Sequence, residues 1–174
     1  MTEAGGLAGG AYVLRRAEAG DLPAIVALQR TAYARNRALL GVEPLPLQAD
    51  YDEIARDMDI WVARDEGRIA GVLVLERRAR HLLIWSIATD PATQGRGLGK
   101  AMLEAAEARA RQLGQTTIRL YTGTLLKHLV AWYGRHGYEV EREETLSDRS
   151  ITHMIKHLEP IGEPVRRCPA SPPT

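Results

Sequence analysis

Residues 89–100 read Thr-Asp-Pro-Ala-Thr-Gln-Gly-Arg-Gly-Leu-Gly-Lys. An apolar run ends at this point, Pro91 stops it, and a helical pattern opens directly afterward. Glycines at 95, 97 and 99 let the backbone approach a ligand closely and turn its N–H groups outward. A helix N-terminus adds partial positive charge at the same spot, and Arg96 and Lys100 add full charges. The chemistry this suits is the binding of a phosphate or a pyrophosphate. Two familiar phosphate motifs fail on spacing. A dinucleotide fingerprint needs a glycine where Lys100 stands, and a P-loop needs glycine at 94 and Ser or Thr at 101, where the chain has Gln94 and Ala101. A plain strand-to-helix connection needs one glycine, not three.

A second segment with chemical potential is Trp132-Tyr133-Gly134-Arg135-His136-Gly137-Tyr138. Tyr133 continues an apolar stripe through Leu125, Leu126, Leu129 and Val130, so it can be ordinary core. It can equally be a proton donor. A phenol of pKa near 10 protonates a thiolate whose conjugate acid lies near 8.5 only when held close and desolvated.

Together the two segments resemble the GNAT superfamily of N-acetyltransferases. Gln94, Gly97 and Gly99 meet its pattern Gln/Arg-x-x-Gly-x-Gly/Ala. Tyr133, Gly137 and Tyr138 resemble its Tyr-x-x-x-Gly-Phe segment, with tyrosine in the last place in a chain that has no phenylalanine. Thr89-Asp90-Pro91 stands where relatives have Val-x-Pro. The likeness spans about residues 12–158 in element order as well as motif.

The resemblance implies an α/β single-domain GNAT fold, a mixed, mostly antiparallel sheet of six or seven strands flanked by about four helices. It implies acetyl-coenzyme A as cosubstrate and no metal. Backbone groups of Gln94, Gly95, Arg96, Gly97, Leu98, Gly99 and Lys100 would bind the pyrophosphate. Ile87, Ala88 and Thr89 would pair with the pantetheine arm as a strand does. An amide near Ile87 or Ala88, freed by a local break in strand pairing, would meet the oxyanion, and Tyr133 would protonate the departing thiolate. Many relatives carry Asn one turn before this tyrosine. The chain has Leu126-Lys127-His128-Leu129 there, so that pantetheine contact is lost or passes to Thr124 or His128.

An alkyl amine has a pKa near 10.4 and must lose a proton before it attacks. Relatives often place Glu on the strand that carries Ile87, but Leu83–Thr89 holds no carboxylate. Ser86 could order a water or be structural. Glu76 stands at the far end of the preceding strand. His128, Tyr121, Asp50, Asp52 and Glu53 are conceivable, His153 fits an ordinary polar face, and no base is assigned. Acceptors in this superfamily enter between the first two helices and the last strand pair. There Glu43, Asp50 and Asp52 could attract a cationic amine or merely cap helices, and Arg35 and Arg37 oppose a strongly anionic funnel. Trp61 and Trp85 are expected in the core. The leading expectation is N-acetylation of a small primary amine. The alternatives are a peptide or protein amine, which would want an open groove across Leu39–Tyr51, and a coenzyme-binding module without catalysis. Dimerisation is common among relatives, and no residue here decides for or against a homodimer.

These residues need a scaffold, and the chain is long enough to bury one core. It has 174 residues, 23 Lys plus Arg against 22 Asp plus Glu, and a net charge of +1. Near-neutrality without a basic stripe argues against a nucleic-acid partner. No apolar run approaches the roughly 18 residues of a membrane span, and no signal peptide is recognised. The single Cys168 and the absence of zinc spacing fit a reducing cytoplasm. Residues 1–11 are expected as a Gly- and Ala-rich tail, 12–158 as the domain, and 159–174 as a Pro-rich tail.

Within the domain, Tyr12–Arg16 is a strand. Asp21 and Pro23 open a helix with Leu22, Ile25, Val26, Gln29, Ala32 and Tyr33 on one face. Gly41–Gln48 is a loop, and Asp50 with Glu53 opens a second helix. Ile60–Arg64 and Ile69–Leu75 make a hairpin. His81–Thr89 fits a strand buried on both faces. A helix follows from Leu98 to Gly114, then a strand at Thr116–Tyr121, the Leu125–Tyr133 helix, and strands at Tyr138–Glu143 and Ser150–Leu158.

Overall fold

A computed structural model describes residues 6–160. Residues 1–5 and 161–174, Cys168 included, lie outside the described residues. The described residues form one open sheet of eight strands with five α-helices. The strands are β1 (Leu7–Gly9), β2 (Tyr12–Arg16), β3 (Asp59–Asp65), β4 (Arg68–Arg77), β5 (Leu82–Thr89), β6 (Thr117–Gly123), β7 (Glu139–Thr145) and β8 (Ser150–His157). The helices are α1 (Leu22–Leu40), α2 (Leu45–Gln48), α3 (Tyr51–Asp57), α4 (Leu98–Gln112) and α5 (Lys127–Arg135). The sheet order is β1-β2-β3-β4-β5-β6-β8-β7. Every pairing is antiparallel except β5 with β6.

The expected class holds, with small differences in count. β1 falls inside the stretch expected as a tail. It pairs with β2, Leu7 opposite Leu14, and Leu7 is 2% exposed. One large apolar residue among Gly and Ala buries well but leaves no periodicity to detect. The expected loop at 41–48 contains α2, with Pro46 in its first turn, where a missing N–H costs nothing.

The core has two parts, one on each face of the sheet. Under α4 and α5 lie Leu73, Leu75, Leu82, Ile84, Met102 and Ile118; under α1 and α3 lie Ile25, Ile54, Val62, Val72 and Val74. The α4 stripe follows from its spacing: Leu98, Ala101, Met102, Ala105, Ala106 and Ala110 are all buried. The strand buried without a break on both faces is β4, Ala70 to Leu75. Expected there, β5 instead alternates buried and half-buried residues, because its far half borders a cleft rather than a neighbouring strand. The outer strand β7 carries Glu139, Glu141, Arg142, Glu143 and Glu144, almost all exposed, which keeps that edge from pairing further. Leu125 is also corrected: it is 64% exposed, and Leu126 carries the start of the α5 stripe.

Candidate active site

The site is a wedge where the sheet splits. β5 and β6 pair only over Leu82–Ile84 and Ile118–Leu120. Beyond that point β6 stays with β8 as far as Gly123 opposite Ile151, while β5 stays with β4. One edge of β5 past Ile84 therefore has no strand partner among the described residues. The split opens into a cleft of about 670 Å³, within the range of small-ligand sites. A register shift falls in the same place. Val74 faces Ser86 and Leu75 faces Ile84, so Trp85 is the extra residue of a bulge. Trp85 packs toward α1, Ile87 toward the α4 core, and both border the cleft. The expected break in pairing thus lies two residues before Ile87 and three before Ala88. Trp85 is half-buried in the cleft wall, not enclosed in the core as expected, whereas Trp61 is 3% exposed.

The glycine turn is fixed from behind by Asp90. Its N–H donates to the Ala70 carbonyl (2.8 Å) and its carboxylate accepts from the Ala92 amide (2.9 Å). Thr93 Oγ1 donates to the Asp90 carbonyl at 2.8 Å. Gly95 and Gly97 follow at φ 83° and 81°, conformations that side chains resist, and a Cβ on either would project into open space. Gly97 caps α4, whose first helical bond runs from the Ala101 amide to the Gly97 carbonyl (2.9 Å). The amides of Leu98, Gly99 and Lys100 come before that bond, and no hydrogen bond among the described residues uses them. They are the orphan donors of a helix start, placed at the cleft.

Gly99 has a different reason to be glycine: its Cβ would stand 3.3 Å from the Trp132 ring, so it permits contact between α4 and α5. Of the ten residues expected at the coenzyme, nine line the cleft. Arg96 does not; it pairs with Asp65 at 3.0 Å. Lys100 lines the cleft and stands 3.7 Å from Glu104.

Tyr133 stands in the core and on the cleft wall at once. Its ring is buried in the α4 core, edge-on to Trp132 at 5.1 Å, and the residue also borders the cleft. No hydrogen bond among the described residues engages its hydroxyl. Burial, with a smaller influence from Tyr33, raises this phenol above its ordinary pKa, so it stays a neutral donor. Tyr138, in the place of phenylalanine, is 2% exposed and its hydroxyl donates to Glu107 Oε1 at 3.4 Å. Glu107 in turn accepts from Lys156 Nζ at 2.7 Å, which gives the additional oxygen a partner.

The residues weighed as bases are scattered. Asp50 caps α3 through the Asp52 and Glu53 amides, and Glu76 pairs with Arg78 at 2.8 Å. His153 meets Glu144 at 2.8 Å outside the cleft. Tyr121 borders the cleft, but burial pushes its phenol up to about 12. Thr124 bonds Thr152 at 3.0 Å, and among the described residues His128 is the one imidazole on the cleft wall.

Ser86 is 3% exposed and belongs to a network that sequence patterning missed. Its hydroxyl accepts from Gln29 Nε2 (3.1 Å) and lies 3.1 Å from Tyr33 Oη. Burial raises the Tyr33 phenol, while hydrogen bonds to Ser86 and the Ile87 amide act in the opposite direction. The signal was a polar residue, Gln29, in an otherwise apolar stripe of α1.

The acidic funnel weighed for the acceptor is absent. Glu43 pairs with Arg37 at 2.8 Å, Asp50 is a cap, and Asp52 borders a separate pocket. No Asp or Glu among the described residues lines the main cleft.

A split mixed sheet with unpartnered amides at a strand-to-helix corner defines a site for an extended ligand that carries phosphate. Residues 23–138 match the Acetyltransferase (GNAT) family, and the chain belongs to it. As a member it is an N-acetyltransferase that uses acetyl-coenzyme A. No curated protein matches the chain. Among solved structures it is similar to the ribosomal-protein-S18-alanine N-acetyltransferase from Escherichia coli, with 20% identity and a TM-score of 0.71, covering 87% of this chain and 97% of that one. Nourseothricin acetyltransferase is 24% identical, with a TM-score of 0.65 over 86% of this chain and 99% of that one. The PaiA N-acetyltransferase from Thermoplasma acidophilum, solved with coenzyme A, is 18% identical, with a TM-score of 0.67 over 84% and 99%. These likenesses carry the fold.

Proposed function

We propose that the chain acetylates a primary amine of a small molecule by direct attack on the thioester. The observation that carries this is one cleft bordered by three features: the unpartnered amides of 98–100, the open edge of β5 at 87–89, and the Tyr133 residue whose hydroxyl has no partner. Acetyl-coenzyme A supplies the activated acyl group. The 94–100 turn would hold its pyrophosphate, and Ile87, Ala88 and Thr89 its pantetheine arm. A C–N bond forms as the C–S bond breaks; the amine proton leaves to solvent and the thiolate takes its proton from Tyr133. Burial makes Tyr133 a weaker acid and keeps it protonated, so it would donate only to a thiolate held close and desolvated.

A small acceptor is favoured over a peptide by how the 41–50 segment is held. Arg149 donates to the Glu43 carbonyl at 2.8 Å, Gln48 to the same carbonyl at 2.8 Å, and Tyr51 to the Pro46 carbonyl at 3.0 Å. A pinned segment borders the cleft at Pro44, Leu45 and Pro46, where a peptide groove would need to be open. In this reading the protein works as a cytoplasmic enzyme; among the described residues no helix is long and apolar enough to cross a membrane.

The test joins binding and turnover. Acetyl-coenzyme A at 100 times its dissociation constant should stabilise the protein by about 2.7 kcal/mol. Tyr133→Phe should keep that stabilisation while kcat falls roughly 10²-fold or more. Unchanged kcat removes Tyr133 from the chemistry, and no stabilisation at millimolar ligand ends the acetyltransferase reading.

A further inference from the structure

We infer that the acceptor is a small primary amine that also carries a carboxylate, held at the acceptor end of the cleft by Arg35 with Asn36 beside it. This rests on the acetyltransferase reading above and names the substrate class for it.

The charge on the cleft wall has one sign. Arg35, Lys100, Arg135 and Arg149 border it, and no Asp or Glu among the described residues does. Lys100 and Arg135 stand on α4 and α5, at the end bordered by the glycine turn. Arg149 is already engaged: two of its nitrogens donate to Asp148, at 3.0 and 2.6 Å, and a third to the Glu43 carbonyl. Arg35 has no ion pair or hydrogen bond among the described residues.

Helix α1 places Arg35 across the mouth of the wedge. Gln29, Tyr33, Asn36 and Leu40 recur at spacings of four, three and four, which puts them on one face. Tyr33 reaches Ser86 on β5, and Leu40 packs against Gly123 on β6. The half-buried Asn36 therefore faces the gap between the diverging strands, and the exposed Arg35, next to it in the chain, borders the same cleft. A guanidinium fork and a side-chain amide suit a carboxylate, which accepts from both. Leu40, Pro44, Leu45 and Pro46 add an apolar wall to the same cleft.

A polyamine would meet like charge here and no partner for its second ammonium. The same positive field favours the free-base form of a bound amine, which helps where no carboxylate lines the cleft to take its proton.

Matched acceptors that differ only in the carboxylate test this: leucine against leucinamide, methionine against methioninamide, with spermidine as the cationic arm. The amides have less basic amines and offer more free base, so a preference for the acids cannot come from protonation. The expected result is kcat/KM at least tenfold higher for the acids. Arg35→Ala should erase that preference, Arg35→Lys should restore part of it, and KM for acetyl-coenzyme A should stay within twofold. Thermal stabilisation of the coenzyme A complex by the same compounds gives a readout that needs no turnover. Preference for amides or spermidine in both assays, or an Arg35→Ala loss equal for acids and amides, overturns the inference. An enzyme that turns over spermidine leaves the acetyltransferase reading standing; a protein unshifted by acetyl-coenzyme A loses both.

Discussion

The two ends of the cleft are built from different parts of the chain. In the proposed reading, the ligand-facing groups at the coenzyme end are main-chain: amides at 98–100 and the open edge of β5, with Gly95 and Gly97 keeping side chains out of the way. At the proposed acceptor end the cleft is lined by side chains, Tyr33, Arg35 and Asn36 from α1 and Tyr121 and Arg149 from elements about 90 residues or more away in sequence. A diphosphate needs donors at fixed positions, and a strand-to-helix corner supplies them with little dependence on residue type. An acceptor must be told from its competitors, and only side chains differ enough to do so. One end can therefore stay constant while the other varies.

The sharpest way to break this contrast is to put a side chain into the main-chain end. Gly97→Val should raise the dissociation constant for acetyl-coenzyme A more than 100-fold, because its Cβ enters the open space at the cleft. The positive φ adds a folding cost of roughly 1–2 kcal/mol. Isothermal titration beside a thermal melt separates the two effects. Normal binding by the folded variant would show that the diphosphate is held elsewhere.

The same contrast explains what could be seen in the sequence. Gln94 to Lys100 is contiguous, its glycines answer local conformational demands, and the α4 stripe and the β3–β4 hairpin carry clear periodicity. Those features were legible from residue order alone. β1 was not, because three residues show no period. The burial of β4 rather than β5 on both faces was not, since both are apolar runs and only topology decides which one borders the split. The partner of the Arg96 side chain was not legible, because charge beside a glycine turn says nothing of Asp65, 31 residues away in sequence. The acceptor end was the least legible. Glu43 and Asp52 lie in the right segment, and only the paths of α1 and α3 turn them from the cleft. Gln29 in an apolar stripe was the one trace of the polar network there.

That network offers a second, smaller perturbation. Ser86→Ala removes the bond from Gln29, which is 0% exposed, and the anchor of Tyr33. Gln29 keeps a neighbour in Tyr51, so the expected cost lies near the low end of a buried unmet donor, about 1–2 kcal/mol. This would lower Tm by a few degrees. Freed from Ser86, Tyr33 should loosen the acceptor end, raising acceptor KM several-fold while the coenzyme dissociation constant stays within twofold. An equal loss at both substrates would mean that the Ile87 amide, which also faces Tyr33, ties the two ends together.

The smallest effect belongs to the one lysine of the glycine turn. The Lys100 side chain is 64% exposed and has Glu104 at 3.7 Å, so its charge is solvated and partly met already. If the amides of 98–100 do the holding, Lys100→Ala should raise KM for acetyl-coenzyme A only about two- to fivefold at low ionic strength. The difference should shrink as added salt shortens the screening length to roughly 8 Å near 0.15 M. The amide dipoles act at hydrogen-bond distance and are not screened this way, so wild-type binding should keep most of its strength over the same range. A tenfold loss that persists in high salt would assign the diphosphate to a side-chain charge. The main-chain end would then depend on residue identity as the acceptor end does, and the division between constant and variable ends would no longer follow from backbone against side chain.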